Sequence, residues 1–157
     1  MFTKSRVLLI SLFAATVLVP VFGYATDDVP KFSDYPVAVF TGKHANISSK
    51  KNDSRTKEMM SVLAGQINFA GHYIIYYTPV REDVILTNMV DVKTGKYVGL
   101  PDIYNSASAI TDDYREDSSL LIINVKCQVD DVNCKNVSVY FNYTNGKFER
   151  LKTIMNK

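Results

Sequence analysis

The chain has 157 residues, with 18 Lys and Arg against 16 Asp and Glu, 46% hydrophobic residues, two cysteines and no tryptophan. This length suits one ordinary domain, which can bury a core without a metal ion to hold it together. The near balance of charges excludes the strongly basic surface that is typical of nucleic-acid binding. We therefore expect a single domain and no nucleic-acid partner.

The N-terminal segment has the pattern of a secretory signal peptide. Lys4 and Arg6 precede an apolar run over 7–22, and small residues follow in Gly23-Tyr24-Ala25. Cleavage after Ala25 leaves 26–157 as the mature domain, in which the basic residues fall from 18 to 16 and equal the acidic ones. This pattern predicts a periplasmic or secreted protein that does not associate with the membrane once the signal is removed. An uncleaved anchor is the alternative.

The two cysteines, Cys127 and Cys134, both lie in the part of the chain that we expect to be exported. An oxidising compartment favours a disulfide between them, closing a short loop. A zinc site would need further Cys or His ligands nearby. The sequence also has no glycine-rich phosphate loop. We therefore expect neither a metal nor a cofactor.

The first part of the mature chain predicts a strand, a helix and a second strand. Tyr35–Phe40 has the composition of a short strand, in which Pro36 must lie at the strand start or on a sheet edge. The run 54–64 has apolar residues at helical spacing, and Gly65 can end that helix. The stretch 68–77 follows as a strand with apolar residues on both faces, entered at Gly71, where a residue without Cβ allows close backbone approach.

The remaining strands fall into two groups joined by short turns. Val84–Val92, a turn at Gly95 and Tyr97–Leu100 complete a first meander. Leu120–Val125 and Val137–Tyr143 begin a second meander, in which the Asn145-Gly146 turn should place Tyr143 opposite Phe148. The predicted fold is mainly β with a minor α contribution: two antiparallel three-stranded meanders, packed together or arranged like propeller blades, with one N-terminal helix.

Six short motifs occur in a fixed order over about 35–151: Tyr35-Pro36-Val37, Asn68–Tyr73, Asp91 with Thr94-Gly95-Lys96, Leu100-Pro101, Asp113–Ile122 and Asn145–Phe148. The set resembles a group of small exported bacterial proteins of unassigned activity. Members of the group commonly carry a Trp-Gly-Cys-Gly segment where this chain has 76–81, without Trp or Cys. The resemblance implies a bacterial envelope protein with a β-rich fold, and it implies no particular chemistry.

His72 is the best single candidate for an acid–base group, because a histidine side chain titrates near neutral pH. A hydrolase could pair it with a carboxylate such as Asp91, although the chain has no Gly-x-Ser-x-Gly motif. The alternative is a structural histidine held by hydrogen bonds at the start of a strand. His44 lies in a polar stretch, where we expect it to be solvated.

Two further features predict binding, and each has a structural alternative. Tyrosines on the predicted strands could form a protein- or glycan-binding face or could be core residues with satisfied hydroxyls; they are Tyr73, Tyr76, Tyr77, Tyr97, Tyr140 and Tyr143. The acidic stretch 112–117 around Tyr114 and Arg115 could bind a cation or a basic partner, or could be a solvated turn. The candidate binding residues are Tyr73, Tyr76, Tyr77, Asp113 and Arg115.

These observations favour a non-catalytic binding module over an enzyme. The leading hypothesis is an inhibitor or immunity-type binder of another envelope or secreted protein, such as a cell-wall hydrolase or a toxin. It rests on the predicted export, the modest size, the tyrosines on strands and the lack of a catalytic set in the sequence. The alternatives are a hydrolase that uses His72 with a nearby carboxylate, and a structural component of the envelope.

Overall fold

A computed structural model describes residues 28–47, 54–81, 84–106, 110–126 and 136–156. The predicted signal peptide and the predicted disulfide between Cys127 and Cys134 lie outside these residues. Within them the chain forms one antiparallel sheet of three strands and one of four. The prediction of a mainly β fold with two antiparallel sheets and an N-terminal helix is therefore confirmed.

The first sheet has the strand order β1 (Tyr73–Arg81), β2 (Val84–Asp91) and β3 (Lys96–Val98). Helix α1 (Ser54–Leu63) covers one face of it. Apolar side chains of the helix, the sheet and the segments next to them form a buried cluster there: Met59, Leu63, Ile67, Ile74, Val90 and Val92. No helix in the described part of the chain is both long enough and apolar enough to cross a membrane.

The second sheet has the order β4 (Ile110–Tyr114), β5 (Leu120–Val125), β6 (Val137–Thr144) and β7 (Lys147–Met155). It has four strands where three were predicted, because β4 overlaps the acidic stretch 112–117, for which a binding patch or a solvated turn was predicted. A single helical turn, α2 (Ile103–Ser106), precedes β4. The first sheet ends at Val98 and not at Leu100, so β3 is shorter than predicted.

The two sheets pack together around the ring of Phe69, which is completely buried. Ile75 and Met89 from the first sheet share this core with Leu121 and Ile123 from the second. The ring of Phe69 is surrounded by aromatic rings at centroid distances of 5.9–6.5 Å, from Tyr73, Tyr114, Tyr143 and Phe148. Tyr143 lies opposite Phe148 with 4.6 Å between the ring centroids, which confirms the predicted cross-strand pair.

The segment Tyr35–Phe40 is not a strand, so that prediction was wrong. Pro36 forms only an isolated bridge with Ser118. The Val37 N–H donates to Asp117 O at 2.9 Å and the Phe40 N–H donates to Gly71 O at 2.7 Å. Both acceptors belong to connecting segments, so these hydrogen bonds join loops to one another and do not form a β-sheet ladder.

Three of the six motifs, those at 35–37, 68–73 and 113–122, meet at the turn formed by Ala70 and Gly71, whose φ angles are 43° and 79°. The Ala70 N–H lies 3.2 Å from Ser118 O, and the Gly71 N–H donates to Glu116 O at 2.7 Å. A Cβ at Gly71 would collide with the Ala38 carbonyl oxygen. The close backbone approach that was predicted at Gly71 is present, and this turn joins the N-terminal segment to both sheets.

Candidate functional site

The structure brings His72 and Asp91 together at one end of the first sheet. His72 Nε2 lies 3.9 Å from Asp91 Oδ1, and the imidazole packs on the ring of Tyr73 with 4.1 Å between centroids. Burial lowers the pKa of His72 below its ordinary value, the nearby Lys93 charge lowers it further, and Asp91 opposes the change. The histidine is therefore mainly neutral at pH 7.

The Asp91 carboxylate is already used by the turn that follows β2. Its Oδ1 accepts the Lys93 N–H at 2.8 Å and its Oδ2 accepts the Thr94 hydroxyl at 2.9 Å. These are the contacts of an aspartate that shapes its own turn. No group of three or more His, Cys, Asp or Glu side chains in the described residues could hold a metal ion. The contacts favour a structural role for this pair.

The tyrosines on strands divide into two sets. Tyr140 and Tyr143 are buried, and Tyr73 and Tyr76 are half-buried. Tyr77 and Tyr97 are each 49% exposed. The core interpretation therefore fits Tyr140 and Tyr143, whereas the other four tyrosines keep exposed surface for contact with a ligand.

Asp112 links the two sheets through tyrosine hydroxyls. Tyr77 on β1 donates to Asp112 Oδ1, and Tyr104 on α2 donates to Asp112 Oδ2 at 2.6 Å. Burial and then the hydrogen bond to Asp112 raise the pKa of both phenols well above their ordinary range. The carboxylate that looked like part of a solvated turn is thus a strand residue with two protein donors.

The other candidates in the acidic stretch also have partners within the chain. Asp113 accepts from the Asn124 amide at 3.0 Å. Arg115 donates to Asp117 through Nε at 2.9 Å and Nη2 at 2.8 Å. His44, predicted to be solvated, instead places Nδ1 2.7 Å from Leu63 O at the end of α1, so that prediction was wrong.

An unpaired stretch of β2 is the feature that the sequence analysis missed. β2 pairs with β1 from Val84 to Asp91 but with β3 only over Met89–Asp91. The Val92 N–H donates to His72 O. The backbone N–H and C=O groups of every second residue before Val92 therefore point toward β1. The N–H and C=O groups of Ile85 and Thr87 therefore point away from β1, where no strand of the described chain pairs with them.

A groove of about 510 Å³ opens where β3 leaves this edge. The edge of β2 forms one wall, and the chain at Gly99, Leu100 and Pro101 diverges from it to form another. The remaining lining comes from α1, β1, β3 and α2 and includes Glu58, Tyr76, Thr78, Tyr97 and Tyr104. A signal for this groove existed in the sequence, because the predicted strand 84–92 is longer than its predicted partner 97–100.

The outer edge of β1 is protected against pairing with another chain. The Asn68 carboxamide bonds to both backbone groups of Ile75, and Pro79 has no N–H to offer. At the edge of the second sheet, β7 carries charged side chains, which discourage edge-to-edge pairing: Lys147, Glu149, Arg150 and Lys152.

The free stretch of β2 has neither kind of protection. It consists of uncharged residues from Ile85 to Asn88. Ile85 is 64% exposed and Leu86 is 49% exposed. In contrast to the edges of β1 and β7, this edge is both unpaired and uncharged.

No protein-family model, no curated protein and no solved structure matches the chain. The resemblance to small exported bacterial proteins stays a prediction. The geometry of the β2 edge and its groove therefore carries the functional conclusion.

Proposed function

We propose that this protein is an exported binding module that accepts an extended segment of another envelope or secreted protein as an added strand on β2. The observation that carries the proposal is the unpaired, uncharged backbone edge at Ile85 and Thr87 beside an open groove. The edges of β1 and β7, by contrast, are covered or charged.

Strand addition uses the backbone groups that an open edge leaves without partners. Main-chain hydrogen bonds supply affinity in this mode, and alternate side chains supply specificity. Burial of the exposed Ile85 and Leu86 side chains adds to the affinity, since full burial of one such side chain stabilises by about 1.5–3 kcal/mol. An apolar edge of this kind is an aggregation hazard unless it has a partner.

The specific role that we propose is that of an inhibitor or immunity-type binder. A captured segment becomes part of this protein's sheet, so it is no longer available for its own function in the partner. A toxin or a cell-wall hydrolase with an extended loop beside its active site would be inactivated in this way.

The test compares Ile85→Glu with the matched control Met155→Glu. Both positions are exposed aliphatic residues on strands, at 64% and 66%, and they belong to different sheets. Exported, tagged protein would be incubated with envelope extract at low and moderate salt, and bound proteins identified by mass spectrometry. We expect one stoichiometric partner that is retained by wild type and Met155→Glu and lost by Ile85→Glu.

Hydrogen exchange of the complex then locates the contact. We expect the amides of Ile85 and Thr87 to become protected when the partner binds, because they would donate to the added strand. Equal capture by Ile85→Glu, or protection confined to other strands, would falsify the proposal. A wild-type dimer that Ile85→Glu converts to a monomer would assign the edge to a second copy of this chain and would also overturn it.

A further inference from the structure

The groove beside the β2 edge carries one acidic side chain, Glu58 of α1, and no basic one among its described lining residues. The Thr78 hydroxyl donates to Glu58 Oε1 at 2.5 Å. The Asn88 amide in turn donates to Thr78 Oγ1 at 3.1 Å. This chain of hydrogen bonds, from β2 through β1 to the helix, holds the carboxylate over the sheet next to the edge.

The register of β2 decides which side chains of an added strand face this carboxylate. Ile74 and Val90, which pair with each other, pack under α1, so the face that they share is the helix face of the sheet. Leu86 and Asn88 stand on that same face, because side chains two residues apart in a strand point the same way. The residues of an added strand that lie opposite Leu86 and Asn88 also point to the helix face.

The distance from the added strand to Glu58 requires a long side chain. Neighbouring strands are about 4.8 Å apart, so a strand added to β2 lies roughly 10 Å from β1, where Thr78 holds the carboxylate. A lysine or arginine stem can cross this gap along the exposed surface of Leu86 with its charge at the far end. The half-exposed ring of Tyr97 lies on the same face and can accept a cation on its surface.

Building on the proposed function, we propose that the captured segment carries a lysine or arginine that inserts into this groove and pairs with Glu58. The cation bonds to the carboxylate, its stem covers Leu86, and the neighbouring backbone bonds to Thr87. A glutamate at the same position would face Glu58 and be repelled, so the groove selects among segments by charge. The groove therefore supplies the specificity, and the β2 edge supplies the general affinity for extended chains.

The test uses synthetic peptides of the form Ser-Thr-Val-Thr-X-Thr-Val-Thr-Ser with lysine, norleucine or glutamate at X. Norleucine has nearly the same stem as lysine without the charge, so the comparison isolates the ion pair. Binding to the exported protein would be measured by fluorescence anisotropy. We expect lysine to bind on the order of tenfold more tightly than norleucine, with glutamate weakest, and the preference to shrink as salt is raised.

Glu58→Gln and Glu149→Gln complete the test. Glu58→Gln keeps an acceptor for the Thr78 hydroxyl but removes the charge, so we expect the lysine preference to fall to about twofold or less. Glu149→Gln removes an exposed carboxylate from β7 and should leave the preference unchanged.

The outcomes separate the two proposals. Binding that Ile85→Glu abolishes but that is indifferent to X, or a lysine preference that survives Glu58→Gln, overturns the role of Glu58 and leaves strand addition standing. No binding of any peptide, or binding that Ile85→Glu does not change, overturns strand addition and with it this inference.

Discussion

The side chain of Asn68 pairs with the backbone of Ile75 as a neighbouring strand would. Its Nδ2 donates to Ile75 O at 2.9 Å, and the Ile75 N–H donates to its Oδ1 at 2.8 Å. One carboxamide thus supplies the donor and the acceptor that a strand residue would supply. This contact occupies the outer edge of β1 at Ile75. The first sheet therefore offers another chain the edge of β2 and not the outer edge of β1.

Replacement of Asn68 tests how much this contact stabilises the fold. Asn68→Ala leaves an N–H and a C=O without their partner at Ile75, a residue that is only 2% exposed. We expect the free energy of unfolding to fall by about 1–3 kcal/mol, measured by urea denaturation. Asn68→Asp keeps the acceptor, and in acidic buffer its protonated carboxyl can also donate to Ile75 O, so its stability there should lie between those of Asn68→Ala and wild type. A wild-type stability for Asn68→Ala would show that water replaces the contact at no cost.

Gly71 and Gly146 form a matched pair for a second prediction. Their φ angles are +79° and +77°, but an added Cβ meets the Ala38 carbonyl at Gly71 and no atom within 4 Å at Gly146. Gly146→Ala should lose about 1–2 kcal/mol from the left-handed backbone alone. Gly71→Ala should lose about 1–3 kcal/mol more, because the N-terminal segment must move. Equal losses in thermal unfolding would mean that the Ala38 contact is easily relieved.

Local chemistry explains why much of the fold was predictable. The Asn145-Gly146 turn and the aromatic pair of Tyr143 with Phe148 depend on neighbours in sequence, and both are present. The first sheet follows from the runs of apolar, β-branched and aromatic residues in β1 and β2, which favour strands. These features can be predicted from the sequence because the residues that form each of them are close together in the chain.

The parts that were missed depend on distant partners. β4 contains Asp112, whose charge suggests a turn until Tyr77 and Tyr104 are known to donate to it. Tyr35–Phe40 has the composition of a strand, but its hydrogen-bond partners are loops far along the chain. The site was missed for the same reason, because Glu58 faces the β2 edge only after α1 has packed on the first sheet.

Asp112→Asn tests the link between the two sheets. The amide oxygen can accept from one tyrosine, but the amide NH₂ faces the other hydroxyl and cannot accept from it. We expect a loss of about 1.5–3 kcal/mol in the free energy of unfolding, the usual size of a hydrogen bond to a charged group. Asp113→Asn, on the next residue and more exposed, should change it by about 0.5 kcal/mol or less. Equal effects of the two variants would argue against a special role for Asp112.

The stability of the protein should fall as the pH is lowered through the titration of His72. Its pKa in the folded state lies below the ordinary value of 6.5, because burial and the charge of Lys93 disfavour the protonated ring. The unfolded chain therefore binds the proton more tightly, so the contribution is complete above pH 6.5 and is lost as the pH falls toward the folded value. We expect a lower free energy of unfolding at pH 5.5 than at pH 7.5.

Two variants show whether His72 is the residue that causes this pH dependence. His72→Gln should flatten the difference between pH 5.5 and pH 7.5, since the titrating group is gone, whereas His44→Gln should retain it. Urea unfolding of the three proteins at both pH values is the measurement. Greater stability of wild type at pH 5.5, abolished by His72→Gln, would mean that Asp91 outweighs burial. His72 and Asp91 would then form an ion pair, and the case for their joint role in catalysis would have to be reopened.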